Sequence, residues 1–422
     1  MAFKTSEYAQ RYEMVRFQLD NPIVTPNNGQ HQVKNGYKFT INDRSSFYDW
    51  YNAYFEVQFQ LQKLADGSAY PATDRISVIN GAHSLINQMT IRSSAKIVYD
   101  TSNLHKVVFV RNLLEYSDDF ARSVAKNSLW YLNVIDSDAI DANGDPAFKA
   151  IHAMVTGAAL KDVNVIIPLN RYGFFEELNE RMLVPLQLQF EIHLQKDNEL
   201  IQKLTAVDDG RVVINRFYLW VPKIIPKDSL YKKFTDSFLT KSSWKYRKEL
   251  YQVSSERTTS GYFQILASID NVKHVFVYLQ RAKTDNADLN PYIFDTFKLN
   301  AADNASYLTT CRLEYGNGVF YPETEYDSES KVRIFNDLMS YAMRKNDFNT
   351  GTQLNLSNYN SLYSMIYFDM SYQEEKMTRD PKSLVFRYKI SVNSAAAFQV
   401  HAIILYDEEV IVDKVGNELV IV

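Results

Sequence analysis

Apolar and polar residues alternate with a period of two along much of the chain. In Phe55-Glu56-Val57-Gln58-Phe59-Gln60-Leu61-Gln62 every odd position is apolar and every even one polar. Leu186, Leu188, Phe190, Ile192 and Leu194 alternate with Gln187, Gln189, Glu191, His193 and Gln195, and Phe386, Tyr388, Ile390 and Val392 with Arg387, Lys389 and Ser391. One buried and one wet face per strand predicts antiparallel sheets in a sandwich or barrel. Further strands are expected at 88–92, 96–100, 163–169, 211–221, 261–267, 273–280, 308–315 and 398–406. Helical spacing is confined to 104–116, 229–239 and 330–343. The helix at 229–239 follows Asp228, a suitable cap, and aligns Leu230, Phe234 and Phe238.

The two halves echo one another. A hairpin pattern at 86–100 precedes a helix ending Asn112-Leu113-Leu114-Glu115-Tyr116. A second, at 308–322 with Gly316-Asn317-Gly318 as its turn, precedes a helix ending Asp337-Leu338-Met339-Ser340-Tyr341. Val165-Ile166-Ile167 precedes the strand at 186–194, as Met365-Ile366-Tyr367 precedes that at 384–392, and each half closes on a long apolar strand. The order predicts an all-β chain of two tandem antiparallel sandwiches with a few short helices. The first occupies 1–222, a connector with a short helix 223–250, and the second 251–422. Pro222-Lys223-Ile224-Ile225-Pro226 marks the seam, because proline resists a continuing central strand. The stretch 133–160 reads as a long irregular loop of the kind that makes contacts.

A length of 422 residues suits two domains with full cores. The 29 Tyr and 25 Phe favour pleated surfaces and large protein interfaces. A formal charge of −4 disfavours a dedicated nucleic-acid binder. Cys311 is the one cysteine, which excludes an intrachain disulfide and points to a reducing compartment. The N-terminus lacks the apolar core of a signal peptide, and no stretch has the ~18 apolar residues of a membrane span, so a soluble protein made without export is expected.

Catalytic patterns are missing. Histidines 31, 83, 105, 152, 193, 274 and 401 show no ligand spacing, and neither a nucleophile elbow nor a phosphate loop occurs. His193 and His401 are expected to face solvent, His83 to serve a structural turn or interface, and Cys311 to be an inert buried thiol. The acidic pairs Asp118-Asp119, Glu176-Glu177, Asp208-Asp209, Glu374-Glu375 and Glu408-Glu409 read as solvated turns. No catalytic residue, metal site or cofactor is predicted. One basic, aromatic-interleaved stretch, Lys241-Ser242-Ser243-Trp244-Lys245-Tyr246-Arg247-Lys248, offers Lys241, Lys245, Arg247 and Lys248 as candidate contacts to DNA phosphates. Its bland alternative is a solvated face or a subunit salt-bridge surface.

Several short strings carry a resemblance. Asn80-Gly81-Ala82-His83-Ser84-Leu85-Ile86, Val98-Tyr99-Asp100 and Asn112-Leu113-Leu114-Glu115-Tyr116-Ser117 resemble the first jelly roll of the double jelly-roll major capsid proteins of Polinton/Maverick- or adintovirus-like DNA elements. Ile167-Pro168-Leu169-Asn170 with Phe174-Phe175, then Asp337–Tyr341, Ile366-Tyr367-Phe368-Asp369 and Ile403-Ile404-Leu405-Tyr406, continue the resemblance in order from about residue 45 to 410. It implies a homotrimer acting as a pseudo-hexagonal capsomer of an icosahedral capsid around DNA. It further implies self-contacts between capsomers, a vertex (penton) protein and other minor capsid proteins as partners, and residence in the virion. Packaged DNA would be a non-specific contact. The loop at 133–160 would make trimer contacts, and the surplus Tyr and Phe would lie partly on lateral surfaces. The competing class is a tandem jelly-roll carbohydrate-binding or carbohydrate-active protein, since the fold hosts both.

Overall fold

The computed structural model describes residues 9–43, 46–131, 145–178, 187–204, 207–229, 231–232, 243–281, 292–297, 307–316, 318–345, 351–372, 382–391, 397–413 and 418–421. The first half contributes β1 (Ala9–Gln18), β2 (Tyr37–Ile41), β3 (Phe47–Tyr48), β4 (Tyr54–Lys63), β5 (Ile76–Val78), β6 (Ile86–Ser93), β7 (Lys96–Ser102), β8 (Val163–Pro168), β9 (Leu188–Leu194), β10 (Ile201–Lys203) and β11 (Gly210–Pro226). The second contributes β12 (Ser243–Val253), β13 (Gly261–Ile269), β14 (Val272–Arg281), β15 (Phe294–Asp295), β16 (Leu308–Tyr315), β17 (Val319–Asp327), β18 (Tyr363–Ser364), β19 (Ile366–Asp369), β20 (Lys382–Ile390), β21 (Phe398–Asp413) and β22 (Glu418–Ile421).

In the first half a sheet ordered β1-β11-β4-β8 packs on one ordered β2-β9-β6-β7. In the second, β12-β21-β14-β19 packs on β13-β20-β16-β17. With the short accessory strands set aside, both halves thread their strands through two four-stranded sheets in the same order. Each is a jelly roll. The inward residues are those the alternation selects. Phe39 meets Phe55 and Phe217 across the first sandwich, at 5.7 and 5.3 Å between ring centres, and Phe368 meets Phe386 across the second at 6.2 Å. The hairpins β6–β7 and β16–β17 hold equivalent places, as do β8 and β19, so the echo between halves reflects shared topology.

Helices fill the same connections. Between β7 and β8 lie α1 (Leu104–Glu115), α2 (Asp118–Arg122) and α3 (Pro146–Val155); after β8 come α4 (Gly173–Glu176) and α5 (Asp197–Leu200). Between β17 and β18 lie α6 (Lys331–Lys345) and α7 (Leu356–Ser361). The expected helices at 104–116 and 330–343 are α1 and α6. That at 229–239 falls mostly outside the described residues.

Two expectations need correction. The stretch 133–160 is not wholly irregular: 133–144 lies outside the described residues, and α3 follows. Asp145 caps α3 by accepting the Phe148 N–H at 2.7 Å, Pro146 occupies its first turn, and Phe148, Ile151 and Val155 are buried. The connector 223–250 is also strand at both ends, since β11 runs to Pro226 and β12 starts at Ser243. Pro222 and Pro226 lie beyond the β4 ladder, which ends with Trp220 opposite Tyr54; they fall in the pairing with the edge strand β1, opposite Met14 and Ala9, where proline is tolerated.

Candidate functional site: the buried junction between the two sandwiches

α1 is buried along its whole length, polar positions included. An amphipathic surface helix would keep a wet stripe. This one has none because its second flank is covered by the other sandwich. The outward face of β12 lies against its last turns, against α4, and beside β7. Positions 247 and 249 therefore read as an exposed polar face in sequence yet are enclosed.

Three guanidinium and three carboxylate groups meet there. Arg111, 1% exposed, donates from Nε to Glu115 Oε1 at 3.0 Å and from Nη2 to Glu176 Oε2 at 2.7 Å. Its Nη1 donates to the Arg171 carbonyl at 2.9 Å and reaches Glu249 Oε1 at 3.4 Å. Arg171 donates to Glu115 Oε2 at 2.6 Å and to Asn112 Oδ1 at 2.8 Å. Arg247 lies 3.4 Å from Glu176. Neutral donors complete the shell: Tyr341 of α6 to Glu115 Oε1 at 2.6 Å, Tyr99 of β7 to Glu249 Oε2 at 2.8 Å, and the Gly173 N–H to Glu249 Oε1 at 2.6 Å. Burial raises the Glu249 carboxyl above its ordinary value, while Arg111, Tyr99 and the Gly173 N–H favour its ionised form. Burial opposes the Arg111 charge as well, but Glu115 and Glu176 outweigh it and its pKa is raised. Opposite charges are equal in number, as an enclosed ionic cluster requires, and the buried Arg247 Nε is left without a hydrogen-bond partner.

The charged groups of this cluster bond one another. Tyr246 reinforces it from β12: its hydroxyl sits between the Val98 carbonyl oxygen, at 2.5 Å, and the Glu408 carboxylate, with one proton for the two acceptors. Beside it, aromatic rings close the joint. Phe109 of α1 stacks on Tyr292 at 3.9 Å, and His83 lies within 6.2 Å of Phe109, Trp130 and Tyr292. Gly81, at φ 88°, turns the chain into His83's helical turn, where a side chain would collide with the imidazole. A recess of about 540 Å³ beside His31, Lys34 and Asp197 holds groups already paired with each other: Lys34 and His31 both bond Asp197, which also accepts the Val212 N–H at 2.8 Å. Among the described residues no cluster of three or more His, Cys, Asp or Glu is placed to hold a metal. None of their helices is long and apolar enough to cross a membrane.

The basic stretch is divided. Lys241 lies outside the described residues. Lys245 is exposed, Arg247 is buried against Glu176, and Lys248 pairs with Glu408 at 3.1 Å. His401, expected in solvent, is 4% exposed: its Nδ1 is 2.6 Å from the Tyr251 hydroxyl, and its ring stacks on Tyr278 at 4.7 Å. His193 is half-buried. Glu176 and Glu408, read as solvated, are ion-paired. Cys311 is buried in β16, and burial pushes its thiol pKa up. The Tyr and Phe surplus is mainly core; among the described residues Tyr12, Phe120, Tyr231, Tyr262 and Tyr372 are exposed. The ionic cluster itself was missed. Its one sequence signal was Arg111 and Glu115, four apart in a helix with no polar stripe.

The chain is a double jelly roll fused across a largely buried joint with equal numbers of opposite charges. No protein-family profile matches it, and no curated protein is similar in sequence. Solved structures with the same fold exist. A chain in the cryo-EM structure of the Sputnik virophage superposes with TM-score 0.61 at 10% identity, over 98% of this chain and 89% of that one. The Faustovirus major capsid protein gives 0.58 at 10% identity, over 94% and 90%. The mavirus major capsid protein gives 0.52 at 10%, over 97% and 90%.

Proposed function

We propose that this chain is a viral major capsid protein, of the kind found in Polinton/Maverick- or adintovirus-like DNA elements. Three copies would form a pseudo-hexagonal capsomer that tiles an icosahedral shell. One observation carries the reading: a single chain holds the same eight-strand sandwich twice, joined by an enclosed ionic cluster. A rigid two-barrel chain presents six similar flanks in a ring of three, so one gene fills a hexagonal lattice. The full-length likeness to the Faustovirus and mavirus capsid proteins supports it, as do the resembling strings in both halves. A vertex protein and minor capsid proteins are the further partners we propose. For packaged DNA, Lys245 is the position we propose, because acidic partners already hold Arg247 and Lys248.

Mass in solution tests the reading. Purified chain is expected at three times 48.9 kDa, about 147 kDa, with ring-shaped particles in negative stain. A monomer at every accessible concentration overturns it.

A further inference from the structure

The internal joint is built from two pieces of the first sandwich: the last turn of α1, with Arg111 and Glu115, and the turn after β8, Arg171–Glu176. Both press on β12, the edge strand next to β21. The second sandwich carries the same two pieces in the same places. The last turn of α6 and the turn after β19 are fastened together: Arg344 bonds Asp369 at 2.6 Å and Ser371 at 3.3 Å, and its guanidinium lies 5.3 Å from the centre of the Tyr372 ring. Here, however, the ridge is open. Tyr372 is 79% exposed and Met343 43%. The counterpart of β12 is open too. β1 holds the same edge position beside β11, and Phe17 turns toward the core, so Tyr12, Met14 and Arg16 face outward. Tyr12 and Met14 are 47% and 43% exposed, and Arg16 lies over the Tyr218 ring at 4.7 Å. On β12 the corresponding outward face, at Arg247 and Glu249, is buried.

A chain that covers this surface on one half and bares both of its sides on the other is half of a repeating contact. We propose that the ridge of Met343, Arg344 and Tyr372 in one copy seats on the outward face of β1, at Tyr12, Met14 and Arg16, in a second copy. The inference rests on the assembly reading above and assigns its surfaces. The contact is head-to-tail, with unlike faces meeting. Each copy therefore gives one ridge and takes one, and such a contact closes into a ring of three when it turns one sandwich against the next by the same sixth of a circle as the internal joint. Apolar and aromatic groups dominate both sides, with an arginine on each that stacks on a ring, the composition of an interface centre.

The test uses the full chain. Met14→Cys and Tyr372→Cys are made singly and treated with a short bis-maleimide; Cys311 is buried and gives no background in folded protein. Neither single variant is expected to cross-link to itself, whereas the two co-expressed give a product of twice the chain mass. Self-linking of a single variant means like faces meet and overturns the head-to-tail contact. Met14→Arg is expected to raise the concentration for association at least tenfold, with a melting temperature equal to wild type when both are compared as dissociated chain. A Tyr372→Cys chain that has lost association supports the contact, and Met343→Cys then replaces it for cross-linking. If wild type and variants are trimers but the co-expressed pair stays unlinked, the surfaces assigned here are wrong while the capsid reading stands. If wild type is monomeric throughout, the capsid reading falls and takes this contact with it.

Discussion

The Gly173 N–H of the first sandwich donates to Glu249 Oε1 of the second at 2.6 Å. The bond is that short because the backbones nearly touch. A Cβ on residue 173 would lie 1.9 Å from the Arg247 carbonyl oxygen and 2.8 Å from Glu249 Oε1. No rotamer relieves a clash with backbone, so Gly173→Ala must push β12 away. Overpacking of this kind costs about 1–3 kcal/mol, and Glu249 loses a donor besides. Thermal unfolding should show a lower midpoint, and limited proteolysis faster cleavage between Pro226 and Ser243. An unchanged midpoint would mean that the joint tolerates displacement and is no tight fit.

Removing Arg111 asks a different question of the same joint. Glu115, Glu176 and Glu249 would lose their shared cation in a largely buried site, so Arg111→Met should cost about 3–5 kcal/mol in urea unfolding. The loss comes from uncompensated charge more than from missing contacts. Adding Glu176→Gln and Glu249→Gln should therefore recover part of it. Equal midpoints for the single and triple variants would refute the charge argument.

The strands were legible because period two is imposed by the backbone itself: successive side chains must point to opposite faces. Phe55–Gln62 shows it without ambiguity, and Cys311–Tyr315 resumes it after the irregularity between Leu308 and Thr310. Alternation says which residues share a face but not which face is wet. His401 was misplaced for that reason, since it sits on the side of β21 that the helices and aromatic residues of the joint cover. Arg247 and Glu249 looked like an exposed stripe for the same reason. Nothing local marks a charged residue whose partner lies 138 positions away, as Arg111 does from Glu249. At 146–155 an apolar stripe was present but was overlooked beside the Asp- and Gly-rich residues preceding it.

That helix changes what a deletion would report. Ile151 and Val155 belong to the first core, so removing all of 133–160 should unfold the first sandwich as well as take away any surface contact. Ile151→Ala alone should cost about 2–5 kcal/mol in denaturant unfolding. A loss below 1 kcal/mol would show α3 to be an appendage, and only then would the long deletion be a clean probe of assembly.

Cys311 gives a simple check on the second core. Burial suppresses its thiolate, so native protein should be inert to a thiol reagent at pH 8 and release one equivalent on unfolding. Rapid reaction in the native state would place β16 at a surface and contradict the second sandwich.

Acid should loosen the joint. His83, His105 and His401 are buried there, and burial lowers all three pKa values, that of His83 to about 3, with Arg171 and Lys106 adding repulsion at His83 and His401. In the unfolded chain each returns to about 6.5. The folded state thus binds fewer protons than the unfolded one between these values. Stability from this source is complete above pH 6.5 and declines as pH falls, by up to about 1.4 kcal/mol per pH unit for each histidine. His83→Gln will lower stability at every pH through lost ring packing, which says nothing about titration. The diagnostic quantity is the slope of unfolding free energy against pH from 6.5 to 5, which the variant should reduce by about 1 kcal/mol per unit on average. Wild type and variant falling in parallel would show that His83 takes up its proton in the folded chain, and that the ring cluster around it is open to water.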